Sequence, residues 1–269
     1  MLTIQTWGGW GDVLREISLL PTFRFQGLFG ARHLPPELAG VRADAGAPSA
    51  EEVQDLLSRC PGIHWDGVGS VSRCQKHLTR GLREIIEPIH PELFDPGFVW
   101  REEDEVQLDT ARANIVIQTH LEGLTAKRWP VENWRAVING VRDRNPDACI
   151  HVLDPAGVSL ADDGIVVQAQ LTFAQAIRLV ERCSLLISVD SWSKYVAGWK
   201  NIPQLVIAPD QTPDYPQLTA STVWRYSFRG LHNNKNLTLL GLAPAGTKRA
   251  RYTFGPIGNI RSEDVLGKL

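Results

Sequence analysis

Cys183–Ile207 reads CSLLISVDSWSKYVAGWKNIPQLVI, and the fold of the chain turns on it. Leu185-Leu186-Ile187-Ser188-Val189 is a short apolar run with β-branched residues, the pattern of a strand buried on both faces of a parallel sheet. The run breaks at Asp190-Ser191, a helix-compatible segment follows from Trp192 to about Trp199, and after Asn201-Ile202-Pro203 a second buried strand runs from Gln204 to Ala208. Strand, polar turn, helix and strand make a βαβ unit. Ligands of open parallel sheets sit beyond the carboxyl ends of the strands. That places Asp190, Ser191 and Ser193 where the free amides of a helix start hold an anion such as a phosphate. Asp and Ser are also the residue types that cap helices, so the turn has two readings, helix cap or anion site.

The rest of the chain narrows the class. It has 269 residues, 43% hydrophobic and 22% charged, enough for one large α/β domain or two small ones. A net charge of −2 gives no overall attraction to nucleic acid or to an anionic membrane. Four cysteines in a chain of this length do not form the framework of a disulfide-rich secreted domain. The start, MLTIQTWGGWGD, lacks the basic and apolar regions of a signal peptide, and no apolar run approaches the ~20 residues of a membrane span. The expected location is the cytoplasm. Nine tryptophans is a high count. Trp7, Trp10, Trp65, Trp129 and Trp192 lie beside glycine or polar residues and read as core aromatics or as stacking faces for sugars and bases.

Toward the N-terminus, Leu2–Trp7 reads as a strand, Gly8-Gly9-Trp10-Gly11-Asp12 as a glycine-rich turn, and Val13, Leu14, Ile17 and Leu20 as one face of a helix. The turn is not GxGxxG, so it does not support a dinucleotide site. A second strand is expected around Gln26–Phe29, a helix over Ala50–Ser58 capped by Ser49, a strand within Gly62–Val71, and a helix over Ser72–Ile86. That last helix gathers Arg73, Lys76, His77, Arg80 and Arg83, a solvated face or a patch that steers an anionic acceptor. Cys60, His64, Cys74 and His77 are zinc-capable types in a spacing unlike the usual finger, so reduced cysteines are the default. Pro88, Pro91 and Pro96, followed by Glu102-Glu103-Asp104-Glu105, mark a linker and place a boundary between residues 1–105 and 106–269.

The second half opens with the buried strand Asn114–Gln118 and continues through Thr119 to Lys127-Arg128-Trp129-Pro130. Val131, Trp134, Val137, Ile138 and Val141 then recur at helical spacing, with Pro130 suited to the first helical position. Ile150–Leu153 is a strand ending at Asp154, which reads as a turn former or as an acid placed to bind ribose hydroxyls. Val166-Val167 is a short strand, and Thr172 with Gln175 forms a capping box for the next helix. Lys248, Arg249 and Arg251 make a small basic cluster near the end.

Taken in order, Gly11-Asp12-Val13-Leu14, the run from Lys127 to Trp134, and Asp190-Ser191 with Pro203 resemble the heptosyltransferase family. These are inverting GT-B glycosyltransferases that use a nucleotide sugar. The matching patterns are the "GxGD" opening, "KxWPxExW" and the "DSG" or "DTG" turn; Ser262–Leu266 is similar to the family's terminal helix and implies a complete C-terminus. The chain departs from the family at Trp192, where a glycine is expected, and at Tyr195, where a histidine usually falls. The resemblance implies an α/β protein of two Rossmann-like domains facing across a cleft, with a reduced N-terminal domain. Residues 1–105 would form the acceptor side and residues 106–269 the nucleotide-sugar side. It implies transfer of a sugar from a nucleoside diphosphate sugar to a hydroxyl on a saccharide or other acceptor, an anionic one included, with inversion and without a metal or cofactor. Asp12 would take the acceptor proton and Lys127 would stabilise the leaving diphosphate. Gly11, Thr119, Lys127, Asp154, Asp190, Ser191 and Ser193 would line the donor site, and Lys194 would add charge where the family usually has none. Three other readings compete. One is a glycosyltransferase acting on a hydroxymethylated nucleic-acid base. Another is a nucleotide-sugar epimerase or dehydrogenase, for which the GxGxxG turn and YxxxK pair are absent. The last is a nucleotide-sugar-binding protein without turnover.

Overall fold

The computed structural model describes residues 3–4, 10–19, 23–27, 50–61, 63–68, 93–119, 125–154, 160, 165–168, 170–212, 219–244 and 249–269. The chain divides into two compact units, one of residues 1–103 with 229–234, the other of residues 104–228 with 235–269. The predicted helix over Ser72–Ile86, with its basic residues and Cys74 and His77, lies outside the described residues, as does Lys248.

The first unit holds a three-stranded parallel sheet in the order β1 (Thr3–Ile4), β2 (Phe23–Gly27), β3 (Ile63–Val68). Parallel neighbours need a crossover, and α1 (Trp10–Leu19) supplies it between β1 and β2, burying Val13, Leu14 and Ile17 along one stripe. Helix α1 starts earlier than the glycine-rich reading predicts. Gly11 and Asp12 therefore stand in its first turn, and Asp12 is not the cap residue. Helix α2 (Ala50–Leu57) carries Glu51 and Glu52 at its positive end and buries Val53, Leu56 and Leu57. The proline-rich stretch beyond is tied to this unit. Phe94 N–H donates to Ser18 O at 2.6 Å, Val99 N–H to Arg59 O at 2.7 Å, and Arg101 reaches Asp55 and Ser58.

The second unit is built on six parallel strands: β4 (Asn114–Gln118), β5 (Cys149–Leu153), β6 (Ile165–Val167), β7 (Leu185–Val189), β8 (Gln204–Ile207) and β9 (Leu237–Leu240). Their order is β6-β5-β4-β7-β8-β9. The chain walks outward from β4 to β6, returns to lay β7 beside β4, and walks outward the other way. This is the doubly wound Rossmann order, whose topological switch point lies between β4 and β7. All of β4 is buried, as a strand covered on both faces must be.

Helix α3 (Val131–Arg144) lays Trp134, Val137, Ile138 and Val141 on one side of the sheet, against Ile115, Ile117, Val152, Ile187 and Leu205. Pro130 sits just outside α3, with ψ 139°, and its carbonyl accepts from Asn133 and Trp134 N–H. It is thus the N-cap residue and not the first helical one, because an extended ψ is what turns the chain into the helix. Trp129 meets Trp134 edge to face at 4.9 Å, and its indole N–H donates to Ile260 O at 2.8 Å. These two of the nine tryptophans are core residues. Helix α4 (Phe173–Glu181) opens with the Thr172–Gln175 capping box that the sequence predicts, and α5 (Ser193–Trp199) follows β7.

After α6 (Ala220–Ser227) and β9, the antiparallel pair β10 (Leu242–Pro244) and β11 (Ala250–Tyr252) leads to α7 (Ser262–Leu266). Gly241, between β9 and β10, has φ +97°, and a Cβ there would meet Ala208 O at 2.7 Å. Left-handed backbone and a carbonyl in the way both demand glycine. Gly241→Ala is therefore expected to destabilise the fold by more than about 1 kcal/mol, read as a lower urea midpoint at unchanged slope.

Candidate functional site

The carboxyl ends of β4 and β7 bracket the switch point, and a continuous set of buried polar groups occupies it. Gln118 closes β4, and its side-chain amide spans the gap. Its Nε2 donates to Ser191 Oγ at 3.1 Å, and its Oε1 accepts from Ser193 Oγ. Thr119 follows, with its Oγ1 buried and lacking a hydrogen-bond partner among the described residues. Its N–H reaches Leu153 O at 3.4 Å, which ties it to the end of β5 where buried Asp154 stands.

Asp190 is the centre of the site. It is 1% exposed, and its own N–H donates to Ile207 O at 2.8 Å, fixing the β7 end onto β8. Lys127 Nζ donates both to Asp190 Oδ2 and to Asp190 O, each at 2.8 Å. Lys194 Nζ forms an ion pair with Oδ1 at 2.7 Å, and Gln211 Nε2 donates to Oδ2 at 2.8 Å. Burial alone would push the Asp190 carboxyl up, but the two ammoniums outweigh it and hold the group well below the usual carboxylate range. Among these three groups two ammoniums face one carboxylate, a surplus of one positive charge within the cluster.

Lys194 is held by several groups. It is 3% exposed, its ammonium donates to Ser191 O at 3.0 Å, and it lies 4.2 Å from the Tyr195 ring centroid and 5.3 Å from that of Phe228. Tyr195 in turn donates its hydroxyl to Ser227 O at 2.7 Å. Trp192 packs edge to face on Phe173 at 4.8 Å and is half-buried. Neither Asp190 nor Ser191 caps α5: the N-cap residue is Trp192, with no side-chain cap bond, so the capping reading of this turn does not hold. Tyr252, at the end of β11, has its hydroxyl pushed up to about 12 by burial and by the charges of Asp210 and Asp190, so it stays protonated at neutral pH.

Of the residues predicted from sequence, Lys127, Asp190, Lys194 and Ser191 are joined by direct contacts, Ser193 is linked to Ser191 through Gln118, and Thr119 and Asp154 stand at the neighbouring strand ends. Gly11 and Asp12 belong to α1 of the first unit, and the Asp12 side chain lies outside the described residues. Cys60 is a buried free thiol, and no cluster of three metal-ligating side chains occurs among the described residues. None of their helices is long and apolar enough to cross a membrane. Sequence reasoning missed Gln118, Gln211 and the Phe228 ring. A buried glutamine closing an otherwise apolar strand was the available signal for Gln118.

Residues 98–205 match the family described as glycosyltransferase family 9 (heptosyltransferase). The chain is similar in structure to E. coli ADP-heptose lipopolysaccharide heptosyltransferase II, at TM-score 0.57 and 14% identity over 99% of this chain and 96% of that one. It is likewise similar to the E. coli heptosyltransferase WaaC solved with ADP, at TM-score 0.54 and 12% identity over 99% of this chain and 98% of that one. For WaaC solved with ADP-2-deoxy-2-fluoro heptose the TM-score is 0.50, at 14% identity over 99% of this chain and 98% of that one. No curated protein sequence matches the chain. These likenesses bear out the heptosyltransferase resemblance and the α/β, GT-B class of fold.

The Lys127–Asp190–Lys194 cluster sets a stability expectation. Asp190→Asn leaves two buried ammoniums facing a neutral amide and is expected to cost about 3–5 kcal/mol. Because the native carboxyl is depressed, its stabilisation is whole above the unfolded value of 3.8 and is lost as pH falls below it. Acid titrations of unfolding should show that loss in the wild type and lack it in the variant.

Proposed function

We propose that this chain, whose residues 98–205 match glycosyltransferase family 9 (heptosyltransferase), transfers a sugar from a nucleoside diphosphate sugar to an acceptor hydroxyl with inversion. The observation that carries the reading is the surplus positive charge of Lys127, Asp190 and Lys194 at the switch point of a doubly wound sheet. Transfer of this kind needs positive charge where a diphosphate accumulates negative charge as it leaves. Lys127 is suited to that task, since it is a compact cation on a flexible stem that springs from a short helical turn, Thr125–Lys127. Thr119 Oγ1, at the end of β4, offers a buried hydroxyl for a phosphate or sugar oxygen, and Asp154 an acid for ribose hydroxyls.

In the reaction we propose, Asp12 takes the proton of the acceptor hydroxyl. The acceptor oxygen attacks the anomeric carbon on the face opposite the diphosphate, the glycosidic bond forms as the carbon–phosphate oxygen bond breaks, and configuration inverts. The leaving diphosphate keeps the bonding electrons and is stabilised by Lys127. E. coli WaaC was solved with ADP and with an ADP-heptose analogue, which supports an adenine diphosphate sugar as the first donor to try. Soluble saccharide acceptors, anionic ones included, are the matching second substrates.

A second reading, binding of the nucleotide sugar without turnover, is favoured by one observation. Both departures from the family pattern are filled structurally, Trp192 by Phe173 and Tyr195 by Ser227.

A thermal-shift panel of ADP-, UDP-, GDP- and CDP-sugars tests the donor site, since a ligand at 100 times its dissociation constant stabilises the fold by about 2.7 kcal/mol. One nucleotide is expected to raise the melting temperature of the wild type and not of Lys127→Met. No shift with any of the four would sink the donor site. With the donor identified, Asp12→Asn is expected to keep the thermal shift and lose transfer by about 100-fold or more. Donor binding without transfer by the wild type would instead establish the binding-only reading.

A further inference from the structure

Asp190 has two counter-charges, and the structure treats them differently. Lys194 stands four residues after Asp190 on a helix whose residues 193–199 are all buried. Its ammonium is engaged by Asp190 Oδ1, by Ser191 O and by the faces of two rings, Tyr195 and Phe228. Withdrawing it would break an ion pair and strip a cation from aromatic faces that favour it. Lys127 comes from a short helical turn after β4, and among the described residues its ammonium bonds to Asp190 alone. Lys194 is thus held by several groups, whereas the bonds of Lys127 among the described residues all lead to Asp190.

We propose that Lys194 is a positioning residue, the permanent counter-charge of Asp190, whose presence lets Lys127 leave the carboxylate for the phosphates of a nucleoside diphosphate. The inference rests on the donor-site reading given above. With Lys194 in place, the departure of Lys127 leaves Asp190 still paired with an ammonium and with Gln211 Nε2. Without Lys194, Lys127 would be the carboxylate's sole cation in the cluster. Its release would leave a buried carboxylate unpaired, a state costly enough to keep Lys127 where it is. Lys194 thus acts on the ligand through Asp190 and Lys127, and does not touch the phosphates itself. This differs from a donor-binding role for Lys194, in which its own ammonium would meet the diphosphate.

The distinction is testable by rescue. Binding of ADP, UDP, GDP and CDP is measured by calorimetry to the full chain, and the tightest of the four serves as the probe. Lys194→Met and Lys127→Met are each expected to weaken it by about 30-fold or more, the effect of truncating a buried charge partner. Adding Asp190→Asn to Lys194→Met removes the trap on Lys127 and is expected to recover at least tenfold of the loss. Adding Asp190→Asn to Lys127→Met is expected to recover none, because Lys194 cannot take over the contact. Equal rescue of both, or rescue of neither, overturns the proposal. The wild type supplies a second readout that needs no variant to fold. In lysine-ammonium NMR, the probe is expected to move the Lys127 signal and leave that of Lys194 in place, and the reverse pattern overturns the proposal. Absence of binding by the wild type to all four diphosphates fails the donor reading itself, a result distinct from binding without asymmetric rescue.

Discussion

A carboxylate stripped of water must be met by positive charge, and Asp190 is met twice. Taking each ion out of water costs several kcal/mol, so the cluster persists only because its geometry returns that cost through short contacts on both carboxylate oxygens. The rest of the second unit is arranged around this requirement. The backbone of Asp190 is pinned to β8 through Ile207, Gln211 reaches back from the loop beyond β8, and the turn after β4 brings in Lys127. Strand order does the remainder. The return of the chain from β6 to lay β7 beside β4 is what places Gln118 and Asp190 at neighbouring strand ends.

The buried polar network beside the cluster is nearly closed. Gln118 uses its amide nitrogen and oxygen on two serines, so both hydroxyls and both amide atoms find partners without water. Such satisfied networks rigidify their surroundings. Ser191 and Ser193 are both engaged by Gln118, whereas the buried hydroxyls of Thr119, Ser188 and Tyr252 have no hydrogen-bond partner among the described residues.

Local regularities were legible in the sequence because they depend on neighbours a few residues away. The strand Asn114–Gln118, the buried stripe of α3 and the Thr172–Gln175 capping box all follow from periodicity or from residue type at fixed spacing, and the helix Ser262–Leu266 from the family resemblance. The polar turn at Asp190 was legible for the same reason, as a break between a strand run and a helix run. What could not be read is set by distant partners. Gln211 and Phe228 meet Asp190 and Lys194 only once β8 and α6 are in place. Nothing in the composition of Arg229–Asn234 announces that six residues leave the second unit for the first. Pro130 was misplaced by one residue because its type suits either side of a helix start, and only ψ decides between them.

The departures from the family pattern are linked through Lys194. Tyr195 stands where the heptosyltransferase pattern has a histidine, and burial beside the Lys194 ammonium would keep an imidazole there neutral. The phenol ring is likewise uncharged, and its negative face attracts the ammonium. Its hydroxyl, sent outward to Ser227, fixes the ring at the angle that presents that face. Lys194 and Tyr195 therefore act as a pair: the lysine supplies a counter-charge to Asp190, and the tyrosine ring offers its face to the ammonium. Trp192 completes the arrangement from the other side, packing on Phe173 where a glycine would leave the turn without a side chain to anchor it.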